Sequence, residues 1–398
     1  RLPIPPPGPV SWSVPYAGGR GRSSTKQDLH RFGRMSRARA PRRARRTLCR
    51  PARALPRRPS PATSAVPMQE GSMSKLVTIY GGSGFVGRYI ARRLAKTGWR
   101  VRVAVRRPNE AIFVRPYGVV GQVEPVFCNI RDDESVARVM EGADAVVNCV
   151  GTFDAFGRNN FDAVQHDGAA RIARLAAARG IDRMVHLSAI GADPEGRSLY
   201  AQSKGKGEAA VLDAVPGAMI LRPSVVFGPE DQFFNRFAGM ARLTPVLPVV
   251  GGKTRFQPVY VDDVARAAVA YLDEGAEGGV YELGGPDVRS FRELMQEMLA
   301  VIRRRRGIFD MPLWLAALIG RVSDLLWRLT GGLIPAQITA DQVRSLRSDN
   351  VVTGQTRTFA DLGIVPTATA SVLPDYLWRF RPSGQYDAIK ESARNLRT

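Results

Sequence analysis

The chain has 398 residues, of which 44% are hydrophobic and 24% charged, as in ordinary globular proteins. This composition excludes a wholly disordered or collagen-like chain, and the length suits two domain-sized units. Three cysteines are too few for a disulfide scaffold, and the three histidines have no metal-ligand spacing with them. We therefore expect no metal site.

The formal charge of +22 is concentrated in residues 1–72, which hold 16 basic and two acidic residues. This segment is rich in Pro, Arg, Ala, Gly and Ser and lacks an apolar period, so it is predicted to be a disordered basic tail. Three interpretations stay open: a targeting peptide, a nucleic-acid-binding arm, or an upstream extension of a reading frame that starts at Met73. The other residues carry only +8, so nucleic acid is not the expected partner.

After Met73, short apolar runs alternate with segments of helical periodicity. The runs at 76–80, 100–105, 123–127, 145–150 and 184–187 predict strands, with helices after the first run and near 132–141 and 161–179. This alternation is typical of an α/β, Rossmann-like, doubly wound parallel sheet. We expect a dinucleotide-binding domain over 73–285, to which about 222–260 adds part of a cap. A smaller mixed C-terminal cap, facing a membrane or a partner, is expected over 286–398.

A glycine cluster separates the first predicted strand from the first predicted helix. Glycines there permit a tight turn and let the backbone approach a pyrophosphate, while the helix N-terminus offers free N–H groups. The predicted phosphate-binding residues are Gly81, Gly82, Ser83, Gly84, Phe85, Val86 and Gly87.

The end of the second predicted strand indicates which cofactor is preferred. An NAD site places an acidic residue there for the ribose 2′-hydroxyl, whereas this chain has Arg106 and Arg107. Arginine binds phosphate in a bidentate manner, so a 2′-phosphate fits these residues. We expect NADP(H) to be preferred, with NAD(H) possible.

Further motifs follow in the same order as in a known superfamily. Asn148-Cys149-Val150-Gly151 ends the fourth strand, Ser188 ends the fifth, and Tyr200-x-x-x-Lys204 and Arg222-Pro223-Ser224 come later. Together with the glycine spacing, they resemble the extended and atypical short-chain dehydrogenase/reductases, which include the NAD-dependent epimerase/dehydratase-like proteins. The resemblance implies that Asn148, Val150, Gly151, Tyr200, Lys204 and Pro223 bind the cofactor.

The Tyr200–Lys204 pair is the candidate catalytic pair. Residues four apart share a helix face, and a cation beside a phenol lowers the pKa of the phenol. The resemblance implies that Tyr200 is the acid/base, that Lys204 supports it and that Ser188 orients the substrate. An alternative stays open, in which the pair binds cofactor without turnover.

Later segments resemble a narrower family, the NADPH-binding accessory subunits of respiratory complex I. The resemblance rests on 186–192, 257–261, 338–343 and 349–352. It implies a structural role with complex I subunits beside a membrane, or a role in quinone metabolism. The location would be the cytoplasmic face of a bacterial inner membrane, or the matrix side of the mitochondrial inner membrane. The alternative is an active reductase, dehydrogenase or epimerase acting on a small-molecule, isoprenoid or quinone-type substrate, because this chain retains Ser188, Tyr200 and Lys204.

The most apolar helix candidate covers 311–329. Arg321, Asp324 and Arg328 interrupt it, so it is a poor membrane span. Its tryptophans and the upstream Arg303–Arg306 suit a helix at the surface of an anionic membrane. Packing of this helix on its own domain is the other interpretation.

Overall fold

The computed structural model describes residues 74–153, 157–329, 339–382, 384 and 386, with the backbone alone over 324–329. The basic tail predicted over 1–72 and the side chain of Trp327 lie outside this part of the chain. The described residues form ten α-helices: α1 (Phe85–Lys96), α2 (Asp133–Met140), α3 (Asp167–Ala177), α4 (Leu199–Ala214), α5 (Phe234–Leu243), α6 (Val261–Leu272), α7 (Phe291–Val301), α8 (Leu313–Leu329), α9 (Ala340–Ser345) and α10 (Thr369–Leu377).

Seven parallel strands form the main sheet, in the order β11-β6-β5-β4-β1-β2-β3. These strands are β1 (Leu76–Tyr80), β2 (Arg100–Val105), β3 (Val123–Phe127), β4 (Ala145–Asn148), β5 (Met184–Leu187), β6 (Met219–Pro223) and β11 (Gly279–Leu283). From β1 to β3 the chain adds strands toward one edge of the sheet. It then crosses back to β4, on the other side of β1, and adds the remaining strands toward the opposite edge. The predicted α/β fold is confirmed, and the five strands predicted from apolar runs are all present.

Both faces of the sheet are covered at its centre, which explains why β1 and β4 are buried along nearly their whole length and show no polar alternation. On one face, Val77 and Ile79 pack with α1 and α6; on the other, Tyr80 and Val146 pack with α2 and α3. The predicted helix over 161–179 begins with one π-helical segment, Asp162–His166, before α3. The sheet is therefore doubly wound.

A second core lies in the smaller region that follows β6. Three two-stranded pairings support it, made by β7 (Val226–Phe227) with β10 (Val259–Tyr260), β9 (Arg255–Phe256) with β12 (Arg289–Ser290), and β8 (Val246–Val250) with β13 (Gly307–Met311). Phenylalanines dominate this core. The rings of Phe233 and Phe291 stack with their centroids 5.5 Å apart, and the ring centroids of Phe256 and Phe291 are 5.6 Å apart. Helices α5, α7 and α10 enclose it.

Helix α8 leaves an apolar stripe in solvent. Trp314, Leu318 and Val322 are four residues apart and are 69%, 51% and 49% exposed. Ala316 and Gly320, on the other side of the helix, are buried. Within the described ranges, no helix is long and apolar enough to cross a membrane.

Candidate functional site

The glycine cluster forms the turn between β1 and α1. Gly81 has a φ of 74°, a left-handed conformation that favours glycine, and its N–H donates to Ala104 O at 3.0 Å. A Cβ on Gly87 would lie 2.5 Å from Gly81 O and 2.8 Å from the Cα of Gly82, so only glycine lets α1 approach the loop this closely. The turn is thus shaped by glycine backbone, and it leaves the N-terminus of α1 free of side chains at Gly84.

Arg88 stabilises this loop from the first turn of α1. Its guanidinium donates to Ser83 O at 3.0 Å and to Gly84 O at 3.2 Å. The carbonyls of Ser83 and Gly84 are therefore bound on the helix side. The N–H groups of Gly82 and Gly84 donate to Ile79 O and Gly81 O, so the groups offered to an anion are the amides at the N-terminus of α1.

A cavity of about 280 Å³ lies beside the glycine loop. Its lining comes from four segments: the glycine loop (Gly81, Ser83 and Gly84), residues 104–106 at the end of β2, residues 128–131 after β3, and residues 149–151 after β4. Arg106 belongs to this lining, whereas Arg107 pairs with Glu110 at 3.0 Å with 73% of its side chain exposed. The structure thus separates two arginines that the sequence presented as equivalent.

This cavity contains two polar residues after β3 that were not predicted from the sequence. Asn129 and Arg131 follow β3, and Arg131 N donates to Asn129 Oδ1 at 3.2 Å. Their position after a strand of the parallel sheet was the available signal, because such carboxyl ends converge on the ligand crevice. Arg131 is thus a second arginine of this cavity, and its Nη1 donates to Arg158 O at 3.2 Å.

A second cavity, also of about 280 Å³, continues from the N-terminal turn of α1. It contains the three candidate catalytic residues, Ser188, Tyr200 and Lys204, together with Pro223 at the end of β6. Phe85, Val86 and Gly87 also line it, and so does Gly151. The two cavities share Gly84 and Gly151, so one extended ligand could reach from Arg106 to Tyr200.

Lys204 is buried beneath this second cavity. Its Nζ donates to Leu187 O at 2.9 Å, and burial lowers the pKa of the ammonium to about 8. A Cβ on Gly151 would lie 3.9 Å from this Nζ, so the backbone of Gly151 lies close to the ammonium. The ring of Tyr200, four residues earlier, stacks on that of Phe153 with the centroids 5.7 Å apart. It packs edge to face with the ring of Phe161, with the centroids 5.9 Å apart. The two phenylalanines fix the phenol ring.

Ser188 lies 4% exposed, and within the described part of the chain its Oγ has no hydrogen-bond partner. An orphaned buried hydroxyl costs free energy unless a ligand satisfies it. The arrangement therefore fits a bound molecule that presents a hydrogen-bonding group next to Tyr200.

Asn148 shapes the loop that follows β4. Its Oδ1 accepts from Val150 N at 3.1 Å, and its Nδ2 lies 3.2 Å from His186 Nδ1. Burial lowers the pKa of His186 to about 3, so the imidazole is neutral and accepts this hydrogen bond. Strand β4 ends at Asn148, two residues before the predicted end at Val150. Val150 then lines the first cavity, and Gly151 lines both.

The residues present fit a nicotinamide dinucleotide. The glycine turn fits a pyrophosphate, the Arg106 cavity fits an adenosine end, and the Tyr200 cavity fits a nicotinamide end. No group of three or more metal-ligating side chains occurs in the regions that the structure describes.

Comparisons with known proteins agree with this geometry. The model of the NAD dependent epimerase/dehydratase family matches residues 77–284. The mitochondrial NADH dehydrogenase (ubiquinone) 1 alpha subcomplex subunit 9 of Arabidopsis thaliana is 34% identical over 321 residues, 79% of this chain and 80% of that protein. Ceramide reductase of Caulobacter vibrioides is 36% identical over 241 residues, 60% of this chain and 74% of the reductase.

Solved structures add a likeness of fold. One is the NADPH-dependent quinone oxidoreductase QOR2 of Escherichia coli, solved with NADPH, which has a TM-score of 0.58 and 17% sequence identity. The match covers 76% of this chain and 98% of the oxidoreductase chain. The UDP-glucose 4-epimerase of Thermus thermophilus, solved with NAD, has a TM-score of 0.56 and 18% identity, covering 77% and 99%. These two proteins share the fold and differ in nicotinamide cofactor.

Proposed function

The chain belongs to the NAD-dependent epimerase/dehydratase family, and from this premise we propose that it holds NADP(H) as an accessory subunit of respiratory complex I beside a membrane. The observation that carries the proposal is the continuous pair of cavities running from Arg106, past the glycine turn, to Lys204. The relative from Arabidopsis thaliana, aligned over 79% of this chain, supports the partner.

The preference for NADP(H) is supported by the charge around the first cavity. Arg106 and Arg131 line it, and no Asp or Glu appears among its described lining residues. A 2′-phosphate carries negative charge that guanidinium groups bind with short, charge-assisted hydrogen bonds. A 2′-hydroxyl would gain little from the same groups.

Replacing Arg106 with glutamine tests this preference. We expect the affinity for NADPH to fall about 10- to 100-fold, since a hydrogen bond to a charged group contributes about 1.5–3 kcal/mol. The affinity for NADH should change little. Arg107→Gln is the matched control, because Arg107 pairs with Glu110 in solvent. Fluorescence titration with both coenzymes gives the four affinities; equal losses for NADPH and NADH, or equal losses in both variants, would contradict the preference.

The membrane surface is proposed from the stripe on α8 and the basic segment before it. Trp314, Leu318 and Val322 present apolar side chains on one face. Arg304, Arg305 and Arg306 line an open concavity and precede β13, the strand that leads into α8. An apolar helix face that follows a cluster of cations closely in sequence suits the interface of an anionic bilayer.

Co-sedimentation with vesicles tests this surface. We expect the W314S/L318S double variant to bind vesicles containing anionic phospholipid at least about tenfold more weakly, because each large apolar side chain contributes about 1.5–3 kcal/mol on burial. Val365→Ser is the control, since Val365 is equally apolar and 80% exposed but lies outside α8. Unchanged binding of the double variant would refute the membrane surface.

A second candidate function is reduction of a small or isoprenoid carbonyl compound. The unpaired Oγ of Ser188 next to Tyr200 favours it, because the hydroxyl would orient a carbonyl oxygen for protonation by Tyr200. Lys204 would keep positive charge near the phenol, and a nicotinamide cofactor would supply the hydride. NADPH turnover that Tyr200→Phe abolishes, with NADPH binding retained, would favour this function over a purely binding role.

A further inference from the structure

The helix that carries Tyr200 and Lys204 begins in an unusual way. Ser198 precedes α4, and its Oγ accepts from Ala201 N at 3.1 Å, which is ordinary N-capping. The two amides before Ala201, those of Leu199 and Tyr200, also point out of the helix end. Neither amide has an acceptor within α4, because the carbonyl that would accept from each lies before the helix begins.

Asp341 supplies both acceptors from a distant part of the chain. Its Oδ1 accepts from Leu199 N at 2.8 Å, and its Oδ2 accepts from Tyr200 N at 3.2 Å. Asp341 is only 7% exposed, and its negative charge faces the positive end of the α4 dipole. One carboxylate therefore binds the backbone of the candidate acid/base residue itself.

The position of Asp341 is in turn fixed by α9. Thr339 and Gln342 form a capping box at the start of α9. Helix α8 packs closely on this end, because a Cβ on Gly320 would lie 2.8 Å from Ala340 N. A chain of direct contacts thus runs from α8, through Ala340 and Asp341, to the backbone of Tyr200.

We infer that Asp341 is a positioning residue of the cofactor site, which places Tyr200 and Lys204 against the nicotinamide end of the ligand. The inference rests on the proposed binding of NADP(H) and extends it to a contact that lies outside both cavities. Through Asp341, α9 and the part of α8 that packs on it are joined to the backbone of Tyr200.

The experiment compares two ligands that share the adenosine end. NADPH reaches both cavities, whereas 2′,5′-ADP fills only the cavity at Arg106. We expect D341A to lose about five- to tenfold in affinity for NADPH, the size of a lost helix cap, with the affinity for 2′,5′-ADP within about twofold of wild type. D341N keeps one acceptor oxygen and should give an intermediate loss for NADPH alone.

The matched control is R344A on the same helix. Arg344 is 55% exposed, and its Nη1 lies 4.0 Å from Asp341 Oδ1, so its removal should leave both affinities unchanged. Equal losses for NADPH and 2′,5′-ADP in D341A, or no loss in either, would overturn the positioning role. If D341A does not fold, D341N decides by the same comparison. A wild-type chain that binds neither ligand would instead refute the proposed cofactor binding, and the positioning role with it.

Discussion

Replacing Gly87 with alanine is expected to reduce the affinity for NADPH by at least about 100-fold. The added Cβ would lie 2.5 Å from Gly81 O and 2.8 Å from Gly82 Cα, and both are backbone atoms that cannot rotate away. To avoid these two contacts, α1 must move away from the glycine turn. This movement takes the helix N-terminus away from the proposed position of the pyrophosphate. Overpacking of this kind costs about 1–3 kcal/mol in stability as well.

Titration with NADPH, together with a urea unfolding curve, measures both effects. Gly217→Ala is the control, because a Cβ at Gly217 meets no atom within 4 Å and its backbone is not left-handed. If the folded Gly87→Ala chain bound NADPH as wild type does, the glycine turn would not be the phosphate site.

The largest expected loss of stability follows from replacing Arg222 with methionine. Arg222 Nε lies 2.9 Å and 3.1 Å from the two carboxylate oxygens of Glu208, and its Nη2 also donates to Glu208. The side chain of Glu208 is 5% exposed and that of Arg222 22%. Removing one partner of a buried ion pair leaves an uncompensated charge and costs about 3–5 kcal/mol. This pair joins α4 to β6, next to Pro223 in the second cavity.

Urea unfolding at neutral pH measures this loss, and the double variant R222M/E208L provides the decisive comparison. The double variant should recover part of the stability, because no unpaired carboxylate remains; the loss of the Glu208 charge, which raises the pKa of nearby Lys204, limits the recovery. Arg138→Met, which breaks a pair in which both side chains are more than half exposed, should change little. An Arg222→Met chain as stable as Arg138→Met would show that Glu208 is satisfied in another way.

Local patterns in the sequence predicted most of the main sheet. Apolar runs such as Ala145-Val146-Val147 identify buried parallel strands, because a strand covered on both faces needs no polar alternation. The glycine turn was predicted from its place between a strand and a helix, where backbone geometry demands glycine. Both signals are contained within a few adjacent residues.

Contacts between distant segments could not be predicted in this way. Arg106 and Arg107 look alike in sequence, and only the turn after β2, which pairs Arg107 with Glu110, separates them. Asp341 lies 141 residues after Tyr200, and no local pattern indicates that its carboxylate binds that amide. Sequence periodicity indicates which residues are buried, but not which buried groups contact each other across the fold. These contacts are therefore visible only in the structure.

Native-size fractionation of gently solubilised membranes from the source organism, with this chain followed by antibody, tests the central claim most directly. The account predicts co-migration with a respiratory assembly many times the 43.5 kDa mass of the chain, with NADP(H) released when that fraction is denatured. Migration at the mass of a monomer or dimer would contradict the role of accessory subunit. The candidate catalytic residues Ser188, Tyr200 and Lys204 would then be tested first for turnover of NADPH with carbonyl compounds.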